Sequence, residues 1–216
     1  MGFSKTIADA RRYIESNGLY LMQRKDIDKF VECAVKSYGS VSYPLNDFFV
    51  GRECTEKDLR AMWIFNLKYF CNNALIYADS PECNAWVLWI EPGCKGMSVL
   101  RFFLCGGLRM TTALGLGSMK RIMAYENYCK SVRMNATGGK EWYWYNLVVH
   151  PRAHGTHLVT KLFLPMLKYV RSQGRPVFLE THLEKNASMY THYGFSMASR
   201  ELMPGTDLLH YGMIIE

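Results

Sequence analysis

The stretch NLVVHPRAHGTHLVTKLFLPMLKYV, residues 146–170, begins as a buried strand, turns at His150-Pro151 and continues with the apolar spacing of a helix. Leu158, Leu162, Met166 and Val170 recur every four residues, with Val159, Phe163 and Leu167 beside them, so one broad apolar face is available to pack on a sheet. Pro165 falls inside this helix and removes one backbone donor, which predicts a bend. Upstream, residues 142–149 are aromatic and β-branched on both alternating faces, as in a central strand covered by helices on both sides. The helix therefore starts just beyond the end of an interior strand. Such a start points unpaired N–H groups and the positive end of the helix dipole outward, which suits a phosphate; water can also solvate the same groups.

Working outward, the 216 residues are 49% hydrophobic and 14% aromatic, enough to bury a substantial core as one domain. No repeat and no Pro/Gly/Ser-rich linker divides the chain. The first residues carry charges where a secretory peptide needs an uninterrupted apolar segment, and the most apolar stretch, residues 97–119, holds Arg101 and Arg109, so neither a signal peptide nor a membrane span is expected. Seven cysteines without paired C-x-x-C spacing read as reduced thiols of a cytoplasmic protein. The net charge of +7 is spread along the chain without a basic run, which argues for local anion sites and against nucleic acid.

The remaining pattern is mixed. Residues 19–23 read as a strand, 26–38 as a helix with Ile27, Phe30, Val31, Ala34 and Val35 inward, and Thr55 as the N-cap of a helix running toward residue 72. Residues 74–78 and 85–90 form a hairpin around DSPECN. Residues 96–132 read as helical, broken near GLGS, and are followed by the central strand from residue 141. After the long helix come a strand in GRPVFLETH, a short helix in KNASMYTHY, and two closing strands in GFSMASREL and LLHYGMII. The fold class is α+β with an alternating centre, one domain over 1–216 with a helical insertion at about 96–133. Gly115-Leu116-Gly117 lacks the third glycine and the preceding strand of a dinucleotide fingerprint.

The succession strand, turn, long helix, then PVFLETHLEKNASMYTHYGF resembles the GNAT-type N-acetyltransferase superfamily, particularly its bacterial and fungal members with LET…N…Y…GF after the helix. The resemblance spans roughly residues 19–216 in element order and is specific over 141–196. It implies a mixed, strongly twisted sheet of about six to seven strands, flanked by helices on both faces, whose fourth and fifth strands splay to admit the pantetheine arm of acetyl-CoA. It places the backbone of Leu147, Val148 and Val149 on the acetyl and pantetheine amides, and the pyrophosphate at the turn after Pro151. Asn186 falls at the position that binds the cofactor arm. Tyr190 falls at that of the acid facing the sulfur, four residues on and so on the same helical face.

The loop departs from the family pattern of Gln or Arg, two residues, Gly, one residue, Gly or Ala. Counting from Pro151 lays it on His154, Gly155, Thr156, His157, Leu158 and Val159; a register two residues earlier uses Arg152, Gly155 and His157. Side chains at small-residue positions would crowd the phosphate. His150, His154 and His157 could also be weighed as zinc ligands, but no Cys or carboxylate stands at ligand spacing, so no metal is expected. Glu180, at the end of a strand, is a candidate proton acceptor if burial raises its pKa.

The resemblance implies acetyl transfer from acetyl-CoA to a primary amine of a small molecule or peptide by direct attack, the acceptor meeting the cofactor beside the inserted segment 102–128. The altered loop leaves a second reading, an acyl-CoA-binding protein that has lost turnover. A homodimer is compatible with either.

Overall fold

Strands β1 (Tyr20–Leu21), β2 (Leu75–Ala78), β3 (Ala85–Ile90), β4 (Trp142–Val149), β5 (Val177–Thr181), β6 (Ser196–Leu202) and β7 (Leu209–Ile215) form one sheet in the order β1-β2-β3-β4-β5-β7-β6. Every neighbouring pair is antiparallel except β4 and β5. The computed structural model describes residues 3–40, 43–94 and 98–216.

Helices cover both faces. On one lie α1 (Lys5–Ser16) and α8 (Leu158–Ser172), whose Ile7, Ile14, Leu162, Phe163 and Met166 pack on Trp89, Trp142 and Trp144. On the other lie α2 (Ile27–Gly39) and α4 (Glu56–Phe70), packed on Trp86, Leu88 and Val148. The central strands are thus buried on both sides, which is why β3 and β4 read as continuous apolar runs without alternation. Helix α8 continues through Pro165.

Between β3 and β4 run α5 (Val99–Leu104), α6 (Gly107–Leu114) and α7 (Leu116–Thr137); residues 96 and 97, expected to open this helical segment, lie outside the described residues. The breaks fall at Gly106 (φ 91°) and Gly115 (φ 87°), conformations that strain any residue with a Cβ. The short α9 (Glu184–His192) follows β5.

One local reading differs from the structure, and two helices were not read from the sequence. The first strand is a two-residue pairing with β2 instead of 19–23. Helix α1 was hidden by its charges, although Ile7, Ala10 and Ile14 share a buried stripe and the Ser4 hydroxyl caps it by accepting from the Ile7 N–H at 3.1 Å. Helix α3 (Pro44–Val50) is marked by Pro at its start and by Gly51 at φ 73° after its end.

At the start of α4, the Thr55 and Asp58 side chains form a reciprocal capping box, and Arg52 donates to both Asp58 oxygens at 2.6 and 2.8 Å. Those bonds, led by Arg52, hold the Asp58 carboxyl down to about 2. A depressed carboxyl stabilises the fold above its unfolded pKa, and that contribution is lost as pH falls through about 2. Asp58→Ala should therefore cost about 1–2 kcal/mol at neutral pH in urea unfolding, and its deficit should shrink toward zero in acid.

Candidate functional site

The site starts with a break in the sheet. Strands β4 and β5 pair only at Trp142 with Val177, Tyr143 with Phe178 and Trp144 with Leu179. Beyond that point Glu180 and Thr181 pair with β7 alone. The β3–β4 register explains the divergence: Leu88 faces Asn146 while Trp89 faces Trp144, so Tyr145 is an extra residue in β4. A bulge of this kind bends its strand and resets which side chains point to which face. Past the bulge, the His150 N–H donates across to Asn84 of the β3 side. By alternation the N–H groups of Leu147 and Val149 point into the gap and that of Val148 toward β3.

The gap opens into a cleft of about 570 Å³ that runs from the start of α8, past α9, to α2, α3, α4 and α7 on the opposite face. His154, Gly155, Thr156, His157, Leu158 and Val159 line its α8 end, and Lys185 and Asn186 of α9 also line the cleft. No side chain caps α8 and no acid occupies its first turn. Its positive dipole end therefore stands open to an anion. Gly155 (φ 78°) and His157 (φ 59°) are both left-handed, and they fall at the two small-residue positions of the register beginning at Arg152. His150 contributes no positive charge to this end: burial and then Arg152 hold its pKa below the usual value, and its Nδ1 accepts from the Arg152 N–H at 3.2 Å.

The left-handed histidine gives a testable cost. An L-residue in that region loses roughly 1–2 kcal/mol, part of which glycine returns as extra chain entropy. His157→Gly should raise stability by up to about 1 kcal/mol in urea unfolding. His157→Glu should weaken acetyl-CoA binding about five- to thirty-fold by calorimetry, since it puts a negative charge at the dipole's positive end.

At mid-cleft, α9 brings in Asn186 and, one turn later, Tyr190. Tyr190 is buried and stands edge-on to Trp144, ring centres 5.5 Å apart. Burial pushes its phenol well up, so the ring keeps its proton at any physiological pH. Tyr193 lies off the cleft, packed on Phe163 at 5.4 Å and hydrogen-bonded to the Thr160 hydroxyl at 2.8 Å.

Glu180 differs from expectation. Burial acts to raise its pKa, but His210 and Arg133 outweigh it, and the carboxyl sits below its ordinary value. It accepts from the Tyr143 hydroxyl at 2.8 Å, with Arg133 Nη1 and His210 Nε2 each 3.8 Å away. The donor atoms of Cys129, Glu180 and His210 lie within 4.8 Å of one another. A cation is already supplied there by Arg133, which also pairs with Glu141 at 2.9 Å and lies 4.0 Å over the Tyr143 ring. Glu180 is thus the anionic centre of a structural charge network, where a general base needs a pKa near the working pH.

Glu126 of α7 has the property Glu180 lacks. It lines the cleft, and burial raises its carboxyl above the ordinary value. One oxygen accepts from the Tyr145 hydroxyl at 2.8 Å. The neighbouring Tyr125 hydroxyl is 2.9 Å from Nε2 of His182. Burial, and then His210, holds His182 down to about 4, so it is neutral; Nδ1–H donates to the Leu209 carbonyl and Nε2 accepts from Tyr125.

Solved structures share this architecture. The C-terminal condensation domain of Ebony, in complex with beta-alanyl-dopamine, matches with a TM-score of 0.60 at 7% identity, over 91% of this chain and 97% of that one. A histone acetyltransferase and related acetyltransferase from Corynebacterium glutamicum gives 0.53 at 14%, over 91% and 94%. A protein described as a GNAT-family acetyltransferase from Desulfovibrio desulfuricans gives 0.51 at 12%, over 92% and 97%. The chain has the GNAT fold. No family model matches the sequence, and no curated protein matches it.

Within this GNAT fold, the structure gathers Leu147, Val149, residues 154–159, Glu180, Asn186 and Tyr190 along one cleft, while the Val148 side chain is buried on the α2–α4 face. Phe102, expected beside the acceptor, instead packs on Phe65 at 5.3 Å and against Gly107; the insertion reaches the cleft through Tyr125 and Glu126. Glu126 had a signal in the sequence: it is the one acidic residue between 98 and 137, a segment with six Lys and Arg. Among the described residues, no helix is long and apolar enough to cross a membrane.

Proposed function

We propose that the protein transfers an acetyl group from acetyl-CoA to a primary amine by direct attack. The observation that carries this reading is the gap at the Tyr145 bulge: it leaves strand N–H groups of β4 unpaired beside the open N-terminus of α8, with a protonated phenol, Tyr190, between them and the far mouth. Backbone donors in such a slot bind the amides of an extended arm and the thioester oxygen, while the helix end takes the pyrophosphate.

At the far mouth, Glu126 takes a proton from the ammonium. The freed amine nitrogen attacks the thioester carbon, the C–N bond forms and the C–S bond breaks. Tyr190 gives its proton to the departing sulfur and is reprotonated from solvent, and the second amine proton leaves through Glu126. The products are the amide, free CoA and one proton. Of the charged side chains lining the cleft, Lys185 suits the anionic donor and Glu126 a cationic acceptor.

Calorimetry with acetyl-CoA followed by a CoA thiol-release assay across an amine panel tests the reading. Binding with release supports it. Binding without release from any amine leaves an acyl-CoA-binding module, the reading favoured by the imidazole of His157 at a small-residue position. No binding sinks both. Glu126 adds a sharper check. A base with a raised pKa must lose its proton to act, so kcat/KM should rise with pH along a limb above that of an ordinary glutamate at about 4.3. Glu126→Gln should abolish that limb and lower kcat/KM about 100-fold or more.

A further inference from the structure

We infer that the acceptor is a monoamine carrying an aromatic body, held by Glu126 through its ammonium and by the rings of α2, α3, α4 and α7 through its flat face. This rests on the acyl-transfer reading and adds the substrate class to it.

The far end of the cleft is walled by Tyr38, Tyr43, Phe49, Trp63 and Tyr125, contributed by the consecutive helices α2, α3 and α4 and, from the distant insertion, α7. The rings brace one another: Tyr38 lies 5.5 Å from Tyr43 and 5.2 Å from Trp63, and Phe49 lies 5.1 Å from Tyr125 edge to face. The His182 contact fixes the Tyr125 hydroxyl from behind. Rigid aromatic walls favour a flat apolar guest and stabilise an ammonium near their faces.

Charge narrows the class. Among the described residues lining the cleft, the carboxylates are Glu126 and Glu180, and Glu180 is engaged by Tyr143, Arg133 and His210. One carboxylate remains for the acceptor. It meets a single ammonium; the further charges of a polyamine or an amino sugar would be desolvated among rings without a partner. The side-chain oxygens of Asn66 and Asn146, both on lining residues, lack a hydrogen-bond donor, while their amides engage the hydroxyls of Tyr145 and Tyr38. A turn about the soft terminal amide torsion can offer those oxygens to the N–H groups of the same ammonium.

A peptide acceptor fits less well. The aromatic walls at this end come from helices, whose backbone groups are bonded internally and present no free edge to an extended chain. The whole cleft, about 570 Å³, must hold the donor arm as well, which leaves room for a small acceptor.

The test compares phenylethylamine, butylamine, spermidine and a short peptide with a free N-terminus as acceptors with the full-length protein and acetyl-CoA. Phenylethylamine should show the highest kcat/KM, roughly tenfold or more above butylamine, the gain expected from burying the ring. Phe49→Ala should raise KM for phenylethylamine more than for butylamine, so that the preference between the two narrows; an unchanged ratio counts against the ring's role. Higher kcat/KM for spermidine or the peptide overturns the substrate class while leaving acyl transfer intact. Should no amine release CoA, calorimetry of phenylethylamine with the CoA-saturated protein decides alone: binding that Glu126→Gln abolishes supports the site, and no binding, or equal binding to the variant, overturns it.

Discussion

Tyr190→Phe should lower the turnover number at least about tenfold, within the 100- to 10,000-fold typical of a positioned acid once water substitutes in part, while acetyl-CoA affinity and thermal stability stay close to those of the parent. The ring is buried edge-on against Trp144, and phenylalanine preserves that packing. What disappears is the proton that burial keeps on the phenol. Tyr193→Phe is the control: it gives up the bond to Thr160, costing about 1 kcal/mol of stability, and leaves turnover intact. Stopped-flow measurement of thiol release from both variants separates the roles. Reversed effects would shift the acid by one turn of α9, and no loss in either would place the acid elsewhere or make another step rate-limiting.

Trp144→Ala should destabilise the fold by about 3–5 kcal/mol, a large share of the 5–15 kcal/mol that holds a domain together. Its indole stacks on Phe163 at 4.8 Å and on Trp89 at 5.2 Å, nearly parallel to both, and supports the Tyr190 ring from the side. The residue is also the last in β4 to pair with β5. The cavity left behind would loosen both the acid and the edge of the gap. Guanidinium unfolding should show the loss, and a surviving variant should lose turnover in excess of its unfolded fraction. A cost below about 1 kcal/mol would mean that Phe163 and Trp89 close over the space.

Much of this protein is legible without coordinates because its elements are set by local chemistry. The stripe at Leu158, Leu162, Met166 and Val170 makes α8 a helix wherever it sits, and the two-faced apolar run of β4 demands cover on both sides. Tyr190 and Asn186 are picked out by the resemblance to the GNAT superfamily, and their spacing of four sets them on one face of the short helix behind β5. The charge on a side chain is another matter. In sequence Glu180 reads either as a carboxyl raised by burial or as the partner of a cation, and the approach of Arg133 from α7 and His210 from β7 turns the shift downward. Glu126 acquires the opposite shift because α7 carries it into the cleft, beside Tyr145 and away from any cation close enough to compensate burial. The gap itself depends on one unpaired residue, Tyr145, visible only once β4 is laid against β3. By itself, then, the sequence determined most of the elements from residue 26 onward, α3 excepted, and their order, since these depend on neighbours three or four positions away. The tertiary structure alone decided where the sheet opens and which carboxyl is pushed up and which down in pKa, because register and desolvation arise between segments that the chain brings together only on folding.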